Sequence, residues 1–167
     1  REPSGKSNGL TLDRTGRLLA CEHGNRRVSI ADEYGSVSTL ADAFEGKRLN
    51  SPNDLVTHSS GAVYFTDPPY GISPEEQEQP CSGVYRIGPD RHMSLVADDF
   101  ERPNGLAFSP DESVLYIDDS HHQHIRAFDI QNDGSLTSGR LFADLSHDSS
   151  GVPDLSLIHI SEPTRLG

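Results

Sequence analysis

The sequence predicts an all-β chain, built as about three consecutive blades of a β-propeller. Three observations predict it. A short polar string recurs at a nearly fixed interval, each copy is followed by the same order of four short strands, and no long segment carries a helical period. The copies are Asn8-Gly9-Leu10, Pro52-Asn53-Asp54-Leu55, Pro103-Asn104-Gly105-Leu106 and Pro153-Asp154-Leu155. Their polar residue stands at 8, 53, 104 and 154, so the intervals are 45, 51 and 50 residues. Four antiparallel strands at this period are the signature of a propeller blade. A β-sandwich would need the lead-in string to repeat by accident. Closure of a propeller takes about four to eight blades. Three would leave open edges, so the expectation is a fragment of a larger ring that is weakly stable, swapped or aggregated when expressed alone.

Each unit opens with an alternating strand, turns, and continues into a strongly apolar strand that ends on an acid. In the first, LTLD passes through Arg14-Thr15-Gly16 to RLLACE. In the second, DLVTH passes through Ser59-Ser60-Gly61 to AVYFTD. In the third, GLAFS passes through Pro110-Asp111-Glu112 to VLYIDD. Two further strands complete each unit. RVSIAD and SVSTLA flank Glu33-Tyr34-Gly35, GVYRIG and MSLVAD flank Pro89-Asp90-Arg91, and HIRAFDI and RLFADL flank a longer turn with Asn132-Asp133-Gly134. The 15 glycines and 11 prolines fit this density of turns. The pattern covers residues 1–154 and stops there. The remaining LSLIHISEPTRLG, residues 155–167, reads as a non-native tail from adaptor or vector read-through, so His159 and Glu162 are not taken as functional.

Composition removes several function classes. The 167 residues hold 26 acidic and 14 basic side chains, a net charge of -12. A nucleic-acid or anionic-membrane partner requires a basic face, and none is encoded. No apolar run reaches the roughly 18 residues of a spanning helix. The chain opens at Arg1 without a Met or a leader, so a preceding segment is expected to be missing. Cys21 and Cys81 are too far apart for a CxxC motif and read as two unpaired thiols, with Cys21 buried in a strand. Neither compartment nor oligomeric state follows from these features.

The recurring Asn or Asp opens the innermost strand of its blade, and in a propeller that strand lines the central channel. Residues one blade apart then direct their oxygens to a shared axis. Amide and carboxylate oxygens are what a hard cation such as calcium takes. The plainer alternative is that each Asn caps the turn before its strand. Spacing alone leaves both open.

LNSPNDLVTHSSGAVYFTDPPYGI and RPNGLAFSPDESVLYIDDS resemble the gluconolactonase, senescence-marker-protein and luciferin-regenerating family, and CEHGNRRV and FEGKRLNSPND resemble its bacterial gluconolactonase branch. The likeness covers roughly residues 7–154. It implies a six-bladed propeller with one divalent metal ion in its channel, Ca2+ first and Zn2+ second. It also implies metal-dependent hydrolysis of a small sugar lactone, an aldonolactone such as gluconolactone. By motif, Asn104 and Asp154 match two metal ligands, and Asn53 matches an Asn that touches substrate or metal-bound water. Asp154 and Asn53 are thus the candidate catalytic residues, with Asp154 a candidate base as well as a ligand. Asp54 is assigned no more than a loop-stabilising role. Two departures stand out. The family's early ligand Glu has no counterpart, and Leu155 replaces the Gly expected after Asp154. The chain by itself is therefore expected to bind metal weakly and to be inactive. The rival readings are a non-catalytic propeller that binds a protein partner, and a related hydrolase acting on organophosphate esters.

His23, in CEHGN, and Tyr70, in the rigid Asp67-Pro68-Pro69-Tyr70-Gly71 turn, are secondary candidates for the substrate pocket, although a structural histidine and a packing tyrosine explain them as well. His121, His122 and His124 show no ordered ligand spacing and are read as a loop, not a zinc site. Glu75-Glu76-Gln77-Glu78 reads as a solvated loop. Without GxSxG, a P-loop or GxGxxG, serine-hydrolase and nucleotide chemistry have no support.

Overall fold

A computed structural model describes residues 4–146 of the chain. Its twelve long strands form three four-stranded antiparallel sheets, each running in chain order. Blade one is β1 (Ser7–Leu12), β2 (Leu18–Glu22), β3 (Arg27–Ala31) and β4 (Val37–Ala41). A two-residue-per-strand hairpin follows, β5 (Ala43–Phe44) with β6 (Lys47–Arg48). Blade two is β7 (Leu55–Thr57), β8 (Val63–Asp67), β9 (Ser82–Ile87) and β10 (Met93–Phe100). Blade three is β11 (Pro103–Phe108), β12 (Val114–Asp119), β13 (His124–Asp129) and β14 (Arg140–Asp144). Each strand read from the sequence in the three units is present. The small hairpin was not foreseen. Glu75-Glu76-Gln77-Glu78 overlaps a single 3-10 turn, Pro74–Glu76, with no buried residue.

Alternation along the strands divides the side chains of blade two between its two neighbours. In blade two, Val63, Phe65, Tyr85 and Ile87 pack towards blade one against Leu19, Cys21, Val28 and Ile30. Their strand neighbours Ala62, Tyr64 and Val84 pack towards blade three against Leu106, Leu115, Ile117 and Phe128. Every residue of β8 is buried for this reason. The outer faces of the first and third blades leave Leu10, Leu12 and Leu18, and Leu141 and Phe142, exposed.

Polar contacts lock the blades in register. The Tyr64 hydroxyl donates to the Gly134 carbonyl at 2.8 Å. Arg126 makes a forked pair with Asp99 at 2.9 and 2.8 Å, its guanidinium lying 4.8 and 4.9 Å from the Phe100 and Phe128 ring centres. The acid that ends the second strand of each blade also has a structural use. Asp67 accepts the backbone N–H groups of Asn50 and Ser51, both at 2.7 Å. Asp119 accepts those of Glu101 and Arg102 at 2.8 and 3.2 Å. Each carboxylate thereby fixes the segment that enters its own blade's inner strand. In blade one the corresponding Glu22 is buried and accepts from Arg27, Ser29 and Asn25.

Candidate functional site at the inner strand ends

The inner strands β1, β7 and β11 lie side by side, and they approach closely where the repeated string begins. Gly9 donates its N–H to the Asn53 carbonyl at 2.8 Å, and a Cβ at position 9 would stand 2.6 Å from the Asp54 Cα. Only glycine allows that approach. Asn53 is anchored by its own N–H, given to the Thr66 carbonyl at 2.9 Å, while the Thr66 hydroxyl donates to the Asn104 carbonyl at 2.6 Å. Asp54 accepts from the N–H of Leu55 at 2.9 Å and from that of Leu106 of the next blade at 3.4 Å.

This scaffold brings the repeated amides together. Asn8 Nδ2 donates to Asn53 Oδ1 at 2.6 Å, and Asn53 Nδ2 donates to Asn104 Oδ1. His23, immediately after β2, places Nε2 3.0 Å from the same Asn53 Oδ1. Asn53 is 2% exposed, so it is a buried hub whose side-chain bonds run to two other blade-start residues and not to a local turn. Because the Asn53 oxygen accepts, the bond from His23 is an Nε2–H donation. Burial lowers the His23 pKa, its bond to Asn53 opposes this, and Lys6 lowers it further. The ring is therefore neutral near pH 7.

The connections from second to third strand surround the cluster on one face of the blades. Tyr70, after β8, has its ring centre 6.4 Å from that of His23. Its hydroxyl meets Ser120 Oγ, after β12, at 2.6 Å. Burial raises the Tyr70 pKa, so it remains a neutral phenol. Asn53, Asn104, His23 and Tyr70 thus share one region. Asp154 lies outside the described residues. Asn8 belonged to the repeat but was not singled out as a site residue; its bond to Asn53 puts it in the cluster.

The donor set suits a hard cation in part. Asn53 and Asn104 supply neutral amide oxygens, but among the described residues no group of three His, Cys, Asp or Glu ligands surrounds them. Among the described residues the one such group is Asp119, His122 and His124, each offering a ligand atom within 4.8 Å of the others. His121 and His122 lie in the turn after β12, as the sequence predicts, while His124 opens β13. The hairpin between β12 and β13 folds His122 back onto Asp119, and His124 pairs with Asp119 across the two strands, which spacing along the chain does not reveal.

The sequence profile of the SMP-30/Gluconolactonase/LRE-like region matches residues 2–161. A gluconolactonase of Zymomonas mobilis is 37% identical over 166 residues, covering 92% of this chain and 46% of the relative. A lactonase of Staphylococcus aureus is 30% identical over 131 residues, covering 75% of this chain and 38% of the relative. The structure of a Xanthomonas campestris gluconolactonase superposes with a TM-score of 0.79 at 41% identity, covering 89% of this chain and 51% of that one. A luciferin-regenerating enzyme shares the fold, with a TM-score of 0.64 at 19% identity, covering 89% of this chain and 50% of that one. The chain spans about half the length of these two gluconolactonases.

Proposed function

The chain belongs to the SMP-30/gluconolactonase/LRE-like family, and from that membership we propose that it supplies the Asn-lined half of the active site of a metal-dependent sugar-lactone hydrolase. The supporting observation is the convergence of Asn53 and Asn104, from successive blades, on one buried hydrogen-bonded cluster. Asn104 and Asp154 would hold a divalent ion, calcium in the first instance. When bound, such an ion polarises an ester carbonyl and lowers the pKa of water.

The chain's own residues have separate tasks. Both lone pairs of Asn53 Oδ1 are engaged, by Asn8 and His23, which suits a residue that positions substrate or water more than one that ligates metal. Neutral His23, donating through Nε2, keeps its Nδ1 as an acceptor, which can orient a sugar hydroxyl. Tyr70, tied to Ser120, forms a stiff apolar wall beside it. Asp154 would take the proton from the attacking water. The substrate is a small polyhydroxylated lactone, in keeping with the gluconolactonase names of the relatives. By itself this three-bladed chain is inactive, because the rest of the channel wall is needed to exclude water and complete the ligand set.

The test is proton release from δ-gluconolactone by a protein in which these blades sit in a closed ring. Turnover is expected to need a divalent ion and to fall by at least about a hundredfold in Asn104→Ala. Turnover undiminished in chelator, or by Asn104→Ala, overturns the proposal.

A further inference from the structure

A second group of chemistry-bearing residues lies on the same face as the amide cluster but uses different donors. It is built on the hairpin that joins β12 to β13. Asp119, the last residue of β12, is 1% exposed, and its carboxylate gathers the backbone of that hairpin. Besides the N–H groups of Glu101 and Arg102, it accepts those of His121 at 2.9 Å and His122 at 3.2 Å. Gln123 completes the tight turn with φ at 52°. The backbone carrying the histidines is therefore fixed before any ligand arrives.

The imidazoles are arranged accordingly. His122 Nδ1 lies 3.0 Å from Asp119 Oδ2. A carboxylate that accepts from one ring nitrogen holds the other, Nε2, as a lone-pair donor turned away from it, an arrangement typical of metal-binding histidines. The His124 ring centre lies 5.4 Å from that of His122, and the His121 ring centre lies 5.0 Å from it. Two imidazoles bound to one ion through bonds of about 2.1 Å place their ring centres roughly 5 Å apart. His124 also faces Asp144 across the β13–β14 pair, which adds negative charge beside the cluster.

We propose that Asp119, His122 and His124 form a rim site for a borderline transition-metal ion, Zn2+ or Cu2+, with His122 and His124 as ligands and Asp119 as the residue that orients His122. Imidazole donors without thiolates select such ions over calcium, so this site and the amide cluster take different metals. The two are linked on one face: Ser120, between Asp119 and the histidines, bonds Tyr70, which neighbours His23. This inference does not depend on the lactonase reading, since it concerns side chains that reading does not use.

The experiment uses the untagged chain with Cu2+ as the probe, read by electron paramagnetic resonance and by titration against a competing chelator. The chain should bind one equivalent with nitrogen hyperfine structure from two imidazoles. His122→Ala and His124→Ala should each weaken binding at least tenfold, and the pair should abolish the signal. His23→Ala and His92→Ala should leave it unchanged, as should millimolar calcium. Circular dichroism of the variants confirms that the sheets persist; His122 is exposed, so its replacement leaves the core intact. A one-equivalent signal that survives the double replacement, or is lost in His23→Ala or under calcium, overturns the proposal. So does the absence of any one-equivalent site.

Discussion

Replacing Asn53 with alanine probes the cluster at its hub. The side chain accepts from Asn8 and His23 and donates to Asn104. A hydrogen bond contributes about 0.5–1.5 kcal/mol net, and a buried partner left unpaired costs about 1–3 kcal/mol. Asn8 is exposed and His23 half-buried, so water replaces much of what those two lose. The loss concentrates on the bond to Asn104 and on the space vacated by a side chain that is 2% exposed. Together these give about 2–3 kcal/mol. With a urea slope of about 1–3 kcal/mol per molar, the unfolding midpoint should fall by roughly 1 M. Asn8→Ala removes a single bond at the surface and should shift it by less than about a third as much. A midpoint for Asn53→Ala within about 0.2 M of the parent chain would refute the view that Asn53 joins the blades.

Two more predictions concern the packing around the site. Tyr64→Phe removes the buried bond to Gly134 between blades two and three and should cost about 1–2 kcal/mol in the same titration; no change would mean that bond does not help hold the blades. Burial raises the Asp67 pKa to about 7, against the lowering effect of the Asn50 and Ser51 N–H bonds and of Arg26. A raised folded value means that between about 4 and 7 the folded chain holds a proton the unfolded chain has lost, so this group's contribution to stability falls as pH rises through that window. The span from 3.8 to about 7 corresponds to on the order of 4 kcal/mol. The stability of the parent chain relative to Asp67→Asn should therefore fall from pH 4 to pH 7, and a relative stability that rises with pH would contradict this reading.

Strands and blades were legible because two signals agreed. Alternation identified each strand, and the recurring Asn aligned the units, so no single ambiguous segment had to decide the fold. The convergence of Asn53 and Asn104 was legible for the same reason, since a blade-long interval returns a residue to the same radius. The β5–β6 hairpin was not, because two residues per strand carry no period. The role of Asp67 and Asp119 was half legible. The acid at the end of each second strand was evident as a repeat, but its bonds to the backbone entering the inner strand depend on how the blade curls. Asn8 and His23 meet Asn53 only through the stacking of blades one and two, a contact that no local pattern encodes. The approach of His122 and His124 to Asp119 was not legible, because a hairpin and not a regular spacing brings them together.

The most direct measurement is a crystal structure, grown with calcium or with terbium in its place, of a protein in which these blades sit in a closed ring, read through the ion's anomalous signal. One ion is expected on the axis between the inner strands, with Asn104 Oδ1 among its oxygen ligands at about 2.3–2.6 Å. An ion seated elsewhere, with Asn53 and Asn104 still bonded only to each other and their protein neighbours, would contradict this expectation.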